Sequence, residues 1–168
     1  MDWLQYGVQW LHILFGILWF GASLTGNFIF VPAISKLPLD RQREVAASYG
    51  EVASRVLTFA AMAVITLGIL RGTVFGSIQS LDALGTTYGL TWLVGLIAAI
   101  ATFLWGKRVL EPAIGRMNAV SIAAAVLPDG RPSRDAAAAI DAVKRVAMLE
   151  LIGFAVILSC MILMRFGY

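Results

Sequence analysis

Apolar residues fall into four long runs, about 6–34, 55–76, 87–110 and 143–166, separated by segments that hold most of the charge. A helix needs ~20 apolar residues to cross a bilayer, and each run meets that length. The pattern predicts an all-α fold, an integral membrane bundle of four transmembrane helices forming a single domain. Segments 35–54 and 111–142 read as the loops on one side. They are partly helical: 39–45, followed by alanines, has the composition of a short surface helix. Pro-Asp-Gly-Arg-Pro at 128–132 is a turn, and Ser133 can cap the helix that follows. No convincing internal repeat stands out, and the only compositional bias is the alanine run 136–139.

The first run is the most structured. Gln5, Gln9, His12, Gly16, Trp19, Ser23 and Gly26 or Asn27 recur at alternating steps of four and three. At ~100° per residue they share one side of a helix. Leu11, Leu14, Leu18, Phe28 and Ile29 lie on the other. The expected helix turns its leucine side to lipid and its polar stripe, with the single histidine of the chain, inward.

Composition supports the membrane assignment. Of 168 residues, 60% are hydrophobic and 14% charged, with a mean hydropathy of +0.83. Soluble domains lie nearer half apolar and a quarter charged. Lys36, Arg41, Arg43 and Arg55 mark the first loop, and Lys107, Arg108, Arg116, Arg131, Arg134, Lys144 and Arg145 the third. The other side has only Arg71 and Arg165 near helix ends. Basic loops stay in the cytoplasm, so both termini are expected outside, in the periplasm, with the chain a multi-pass protein of the bacterial inner membrane. Trp3, Tyr6, Trp10, Tyr88, Trp92 and Tyr168 fall at that outer interface, where amphipathic rings sit. Asp2 stands where a cleaved signal peptide would be basic, and the first run is too long for one. Cys160 is alone, so no internal disulfide can form.

Polar side chains at membrane depth need a partner or a purpose. Converted to height at ~1.5 Å per residue, they form two layers. The outer layer holds His12, Arg71, Trp92, Met161 and Met164. Glu150 must face the bundle, and Phe154, Ile157, Met161 and Met164 follow it on one face. An imidazole is a good ligand for haem iron or copper, and a thioether can supply an opposing axial ligand. Gly16 leaves room beside His12 for a flat macrocycle, Arg71 suits a propionate, and Trp19 and Trp92 can wall a pocket. The plainer reading makes His12 a hydrogen-bonded linker, the methionines core filler, and Arg71 a side chain that snorkels. The inner layer holds Asn27, Glu150, Ser54, Thr58 and Lys107. It reads as a polar clamp joining the first, second and fourth helices, or as a proton or substrate route. Gly68-xxx-Gly72-xxx-Gly76 permits close helix contact, within the chain or between copies.

The chain has no phosphate loop, dinucleotide fingerprint, His-Glu-x-x-His or cysteine pair. The basic loops are topology signals, so nucleic acid is not an expected partner. The partners expected are the bilayer and either a homo-oligomer or a larger membrane complex.

The segment 10–21, Trp-Leu-His-Ile-Leu-Phe-Gly-Ile-Leu-Trp-Phe-Gly, resembles the first-helix pattern "LH…WxG" of a loose group of small bacterial membrane proteins. The group includes copper-resistance-D-like proteins, membrane protoporphyrinogen oxidases, the membrane part of bacterial urate oxidases, and uncharacterised four- or five-helix families. Phe30-Val31-Pro32-Ala33 and Met148-Leu149-Glu150-Leu151 resemble the uncharacterised members. His12, Trp19 and Gly21 carry the likeness, with Glu150 a weaker match. The resemblance implies a histidine-bearing bundle, linked in some members to haem or copper. Those families usually place further histidines or a lysine in later helices, and this chain has no other histidine. The expected function is therefore a b-type haem protein of the membrane, with His12 axial and Met161 or Met164 opposite, in electron transfer or an oxidoreductase step near the outer leaflet. A non-catalytic subunit or assembly factor, and a small copper-handling or transport protein, are the alternatives.

Overall fold

A computed structural model describes residues 3–119, 121, 125–127 and 132–168. Four helices are long and apolar enough to cross a membrane: α1 (Trp3–Ile34), α2 (Leu39–Thr73), α3 (Thr87–Ala119) and α4 (Arg134–Arg165). Among the described residues there is no strand, only an isolated bridge between Val126 and Pro132. The protein is an all-α, multi-pass membrane bundle. The helices pack as two hairpins, α1 along α2 and α3 along α4. Contacts between α2 and α3 join the hairpins, and α1 touches α4 more sparingly.

The helices are longer than the apolar runs. With 32 to 35 residues each, they extend ~50 Å against a hydrocarbon core of ~30 Å. The excess lies mainly at the end with the basic segments. There 39–54 continues unbroken into α2, 111–119 ends α3, and 134–142 begins α4. The short surface helix expected at 39–45 is thus the first turns of a span. Much of the two expected loops is helix, because 39–54 and 134–142 contain no proline to stop one. Helix α2 ends at Thr73, three residues before the end of its apolar run. Ser133 caps α4 as expected, its hydroxyl accepting from the Ala136 amide. Of the turn expected at 128–132, positions 128–131 lie outside the described residues.

The expected polarity of α1 holds from Gln9 onward, while Gln5 is exposed and donates to the Phe75 carbonyl at 3.2 Å. Val8, His12 and Trp19 are buried, with Phe15 and Gly16 half-buried between them and Ser23 half-buried one turn beyond. Leu11, Leu14, Leu18, Phe28 and Ile29 are exposed to the lipid side. The core centres on Trp19, Ala60, Ala61, Val64 and Phe154. Ala60 and Ala61 are fully buried, and their small side chains admit the Trp19 indole. Trp19 meets Phe154 edge-on at 4.8 Å between ring centroids, and Phe20 stacks on Phe154 at 5.1 Å. Such pairs add ~1 kcal/mol to the area they bury.

Two widened turns interrupt the helices, Gly26–Phe30 in α1 and Gly106–Leu110 in α3. In each, an amide reaches five residues back: Val31 to the Gly26 carbonyl, Glu111 to the Gly106 carbonyl. A proline follows at once in both, Pro32 and Pro112. A proline ring would press on the carbonyl four residues earlier, and it lacks the amide to bond it. Widening the turn relieves both problems without breaking the span. The sequence here repeats: Gly-x5-Pro-Ala-Ile stands at 26–34 and again at 106–114. A short internal repeat therefore exists, and it marks the same device in the first helix of each hairpin.

Candidate functional site

The polar stripe of α1 places His12 against α2, where it is 9% exposed. Its Nδ1 lies 3.0 Å from the Val64 carbonyl oxygen. A carbonyl only accepts, so Nδ1 carries the proton and donates. In the neutral ring the lone pair then sits on Nε2. Nε2 makes no hydrogen bond within the described residues, yet it is not sealed: no buried side-chain nitrogen or oxygen among them lacks a partner.

Gly68 makes the approach possible. A Cβ there would stand 3.1 Å from His12 Cε1, tighter than ordinary van der Waals contact. One turn further along α2, Trp92 of α3 takes the corresponding place. Its indole Nε1 points at the Gly68 carbonyl at 3.4 Å, and the ring lies against Gly72, where any Cβ would collide with it. Gly68 and Gly72 thus serve intramolecular contact. Aligning the repeat sets His12 opposite Trp92 (Gly26 on Gly106), so equivalent positions of the two hairpins converge on one glycine seam.

The remaining outer-layer residues divide. Gly16 is half-buried, and the space a Cβ would occupy there is open. Arg71 lies within electrostatic range of the imidazole, and no carboxylate among the described residues stands within ion-pair distance of it. Trp19 is committed to the core beside Phe154. Met161 and Met164 are half-buried in the series Glu150, Phe154, Ile157, Met161, Met164, the face expected to turn inward. No hydrogen bond links either sulfur to His12.

The inner layer forms two clusters. In one, the Ser23 hydroxyl of α1 donates to Glu150 Oε2 of α4 at 3.2 Å. Gly106 of α3 closes on the other oxygen, so that a Cβ there would lie 2.9 Å from Oε1. Asn27 turns back to the Ser23 carbonyl at 2.9 Å. In the other, Lys107 Nζ donates to Glu111 Oε1 at 2.6 Å and to the Ser54 hydroxyl at 3.3 Å, and Ser54 donates to Glu111 Oε1 at 2.8 Å. Thr58 bonds the Ser54 carbonyl within its own helix. The clamp across the first, second and fourth helices is therefore two joints, α1 to α4 at Glu150 and α2 to α3 at Lys107–Glu111. Asn27 takes no direct part in crossing between helices.

Sequence reasoning missed Glu111 and Gly106. Glu111 follows Lys107 at helical i,i+4 spacing, a signal that was present. Gly106 could have been found only through the repeat. Among the described residues no three of His, Cys, Asp and Glu gather into one group. Comparison with protein-family models, curated proteins and solved structures yields no match to this chain.

Proposed function

We propose that the protein is a membrane haem protein of the bacterial inner membrane, with His12 Nε2 as an axial ligand to one b-type haem near the outer leaflet. The observation that carries this reading is the fixed tautomer of His12. Histidines that ligate iron usually donate their other ring N–H to a carbonyl or carboxylate, which aims the ring and raises the basicity of the ligating nitrogen. The Val64 carbonyl is such an acceptor. The surroundings fit: space is open beside Gly16, and Arg71 is free of carboxylates and suited to a propionate. Met161 and Met164 are the candidates for the second position. Bound haem would supply one-electron chemistry, for electron transfer or for oxidation of a small apolar substrate. The protein's part is to hold the ring, exclude water and fix the ligand's orientation.

The test is the visible spectrum of the detergent-purified chain, oxidised and then dithionite-reduced, beside His12→Ala. A Soret band with sharp reduced bands, lost in the variant, is the expected result. A wild type that stays colourless after haem is added back rejects it.

One observation favours a second reading, a non-catalytic subunit of a membrane complex. His12 and Trp92 both point a polar atom at carbonyls of α2, one turn apart, which is a sufficient structural role for the pair. A colourless but fully folded protein would be the result for that reading. Stabilisation of such a preparation by copper would favour copper handling instead.

A further inference from the structure

Among the described residues, Glu150 is the one carboxylate that the helices hold in the apolar part of the bundle. It lies within α4, one turn past Lys144 and Arg145, the last basic residues before the apolar stretch. Its side chain is half-buried between Ser23 and Gly106. A charge at that depth is costly unless a cation compensates it. None does so among the described residues: no lysine, arginine or histidine lies within ion-pair distance of it.

The groups around it are neutral from every side. Helix α1 presents the Ser23 hydroxyl and α3 presents Gly106, while the Asn27 amide turns back to the Ser23 carbonyl. Along α4, the neighbours three and four residues away are Val146, Ala147, Gly153 and Phe154. From α2, Ser54 and its hydrogen bonds belong to the second cluster. Lys107 follows Gly106 immediately, yet it bonds Glu111 and Ser54 instead. The widened turn of α3 thus directs two successive residues to two different carboxyl groups. The inner one lacks a cation, while the outer one, Glu111, has a cation and lies 44% exposed.

We infer that Glu150 is a proton-exchange site, a membrane-embedded carboxylic acid that takes up and releases its proton toward the Lys107–Glu111 end of the bundle. The two carboxyl oxygens have separate parts. Oε2 accepts from Ser23, so the exchangeable proton belongs on Oε1, which faces Gly106. On release the O–H bond breaks and its electron pair stays on Oε1. The proton passes to water entering from the Lys107–Glu111–Ser54 cluster, and Ser23 goes on donating to the carboxylate. Glycine at 106 lets that oxygen approach α3, since a Cβ there would stand 2.9 Å from it. This inference stands apart from the haem reading and uses none of its residues.

The experiment is infrared spectroscopy of the full-length protein in detergent across a pH series, in H2O and D2O, beside Glu150→Gln. The expected result is a carboxylic-acid carbonyl band that is missing in the variant, shifts in D2O and fades as the pH rises. A band insensitive to both pH and D2O would make Glu150 a sealed structural acid and overturn the inference. So would the absence of any band that the variant removes. Labelling of wild type with dicyclohexylcarbodiimide, an apolar reagent that adds across an acid O–H, needs no variant. An adduct mapped to Glu150 and diminishing with pH is expected. An unmodified Glu150 alongside a modified Glu111 counts against it.

Discussion

His12 lies directly over Gly68, its Cε1 only 3.1 Å from where a side chain at that position would begin. Gly68→Ala therefore requires the imidazole to shift by a few tenths of an ångström, against the 3.0 Å bond from Nδ1 to Val64. The expected outcome is a loss of about 1–3 kcal/mol, as for overpacked cores, together with a weakened or shifted Soret band if His12 ligates haem. Thermal unfolding in detergent and the reduced spectrum of the variant check both parts. An unchanged melting temperature would mean that the ring has somewhere else to go.

The same substitution should have opposite signs at two places in α2. At Gly72 a methyl group collides with the Trp92 indole, so Gly72→Ala should destabilise and free the Trp92 ring. At Gly50, in the exposed first half of the helix, nothing lies within 4 Å. There alanine removes only backbone freedom and should stabilise by about 0.5–1 kcal/mol. The two melting curves, with tryptophan emission followed in parallel, separate packing from propensity.

Trp19→Ala removes the largest side chain at the centre of the bundle, the one resting on Ala60, Ala61 and Phe154. A cost of about 3 kcal/mol is expected, because lipid cannot enter the void and the lost dispersion contacts have no replacement. Trp3→Ala, at a residue 89% exposed, should change the melting temperature little. Unfolding of the two variants in one detergent gives the comparison.

Gly106→Ala places a methyl group 2.9 Å from Glu150 Oε1. The carboxyl must turn, and its bond from Ser23 should lengthen or break. Slower carbodiimide labelling of Glu150, with the Lys107–Glu111 pair still intact, is the expected result. Peptide mass mapping measures it, and labelling at the wild-type rate would show that Oε1 does not depend on that gap.

Periodicity and charge made the four spans and the lipid-facing leucines of α1 legible. The inward face of α4 was also legible, from the spacing of Glu150, Phe154, Ile157, Met161 and Met164. Helix lengths were not, because the segments at 39–54 and 134–142 are polar yet strongly helix-forming, and hydropathy reads only the buried half of such a helix. Partner choice was equally hidden. Nothing in the one-dimensional pattern says that His12 meets Val64, or that Glu150 bonds Ser23 and not Lys107. Gly68 and Gly72 read as places of close helix contact and Gly106 was not singled out, whereas the fold uses each as the landing place of one particular side chain.

Each widened turn holds one residue more than a regular helix needs for the same rise. That surplus residue sets the rotational phase of everything beyond it, by about 100°. Glu111 keeps its bearing toward Ser54, and Val31–Ile34 theirs toward α2, only while the surplus is present. Removing a single residue from 26–30 would leave the hydropathy of α1 almost unchanged, yet it would counter-rotate one end of the helix against the other. The length of these two turns is therefore a joint that holds both halves of each long helix in register with α4.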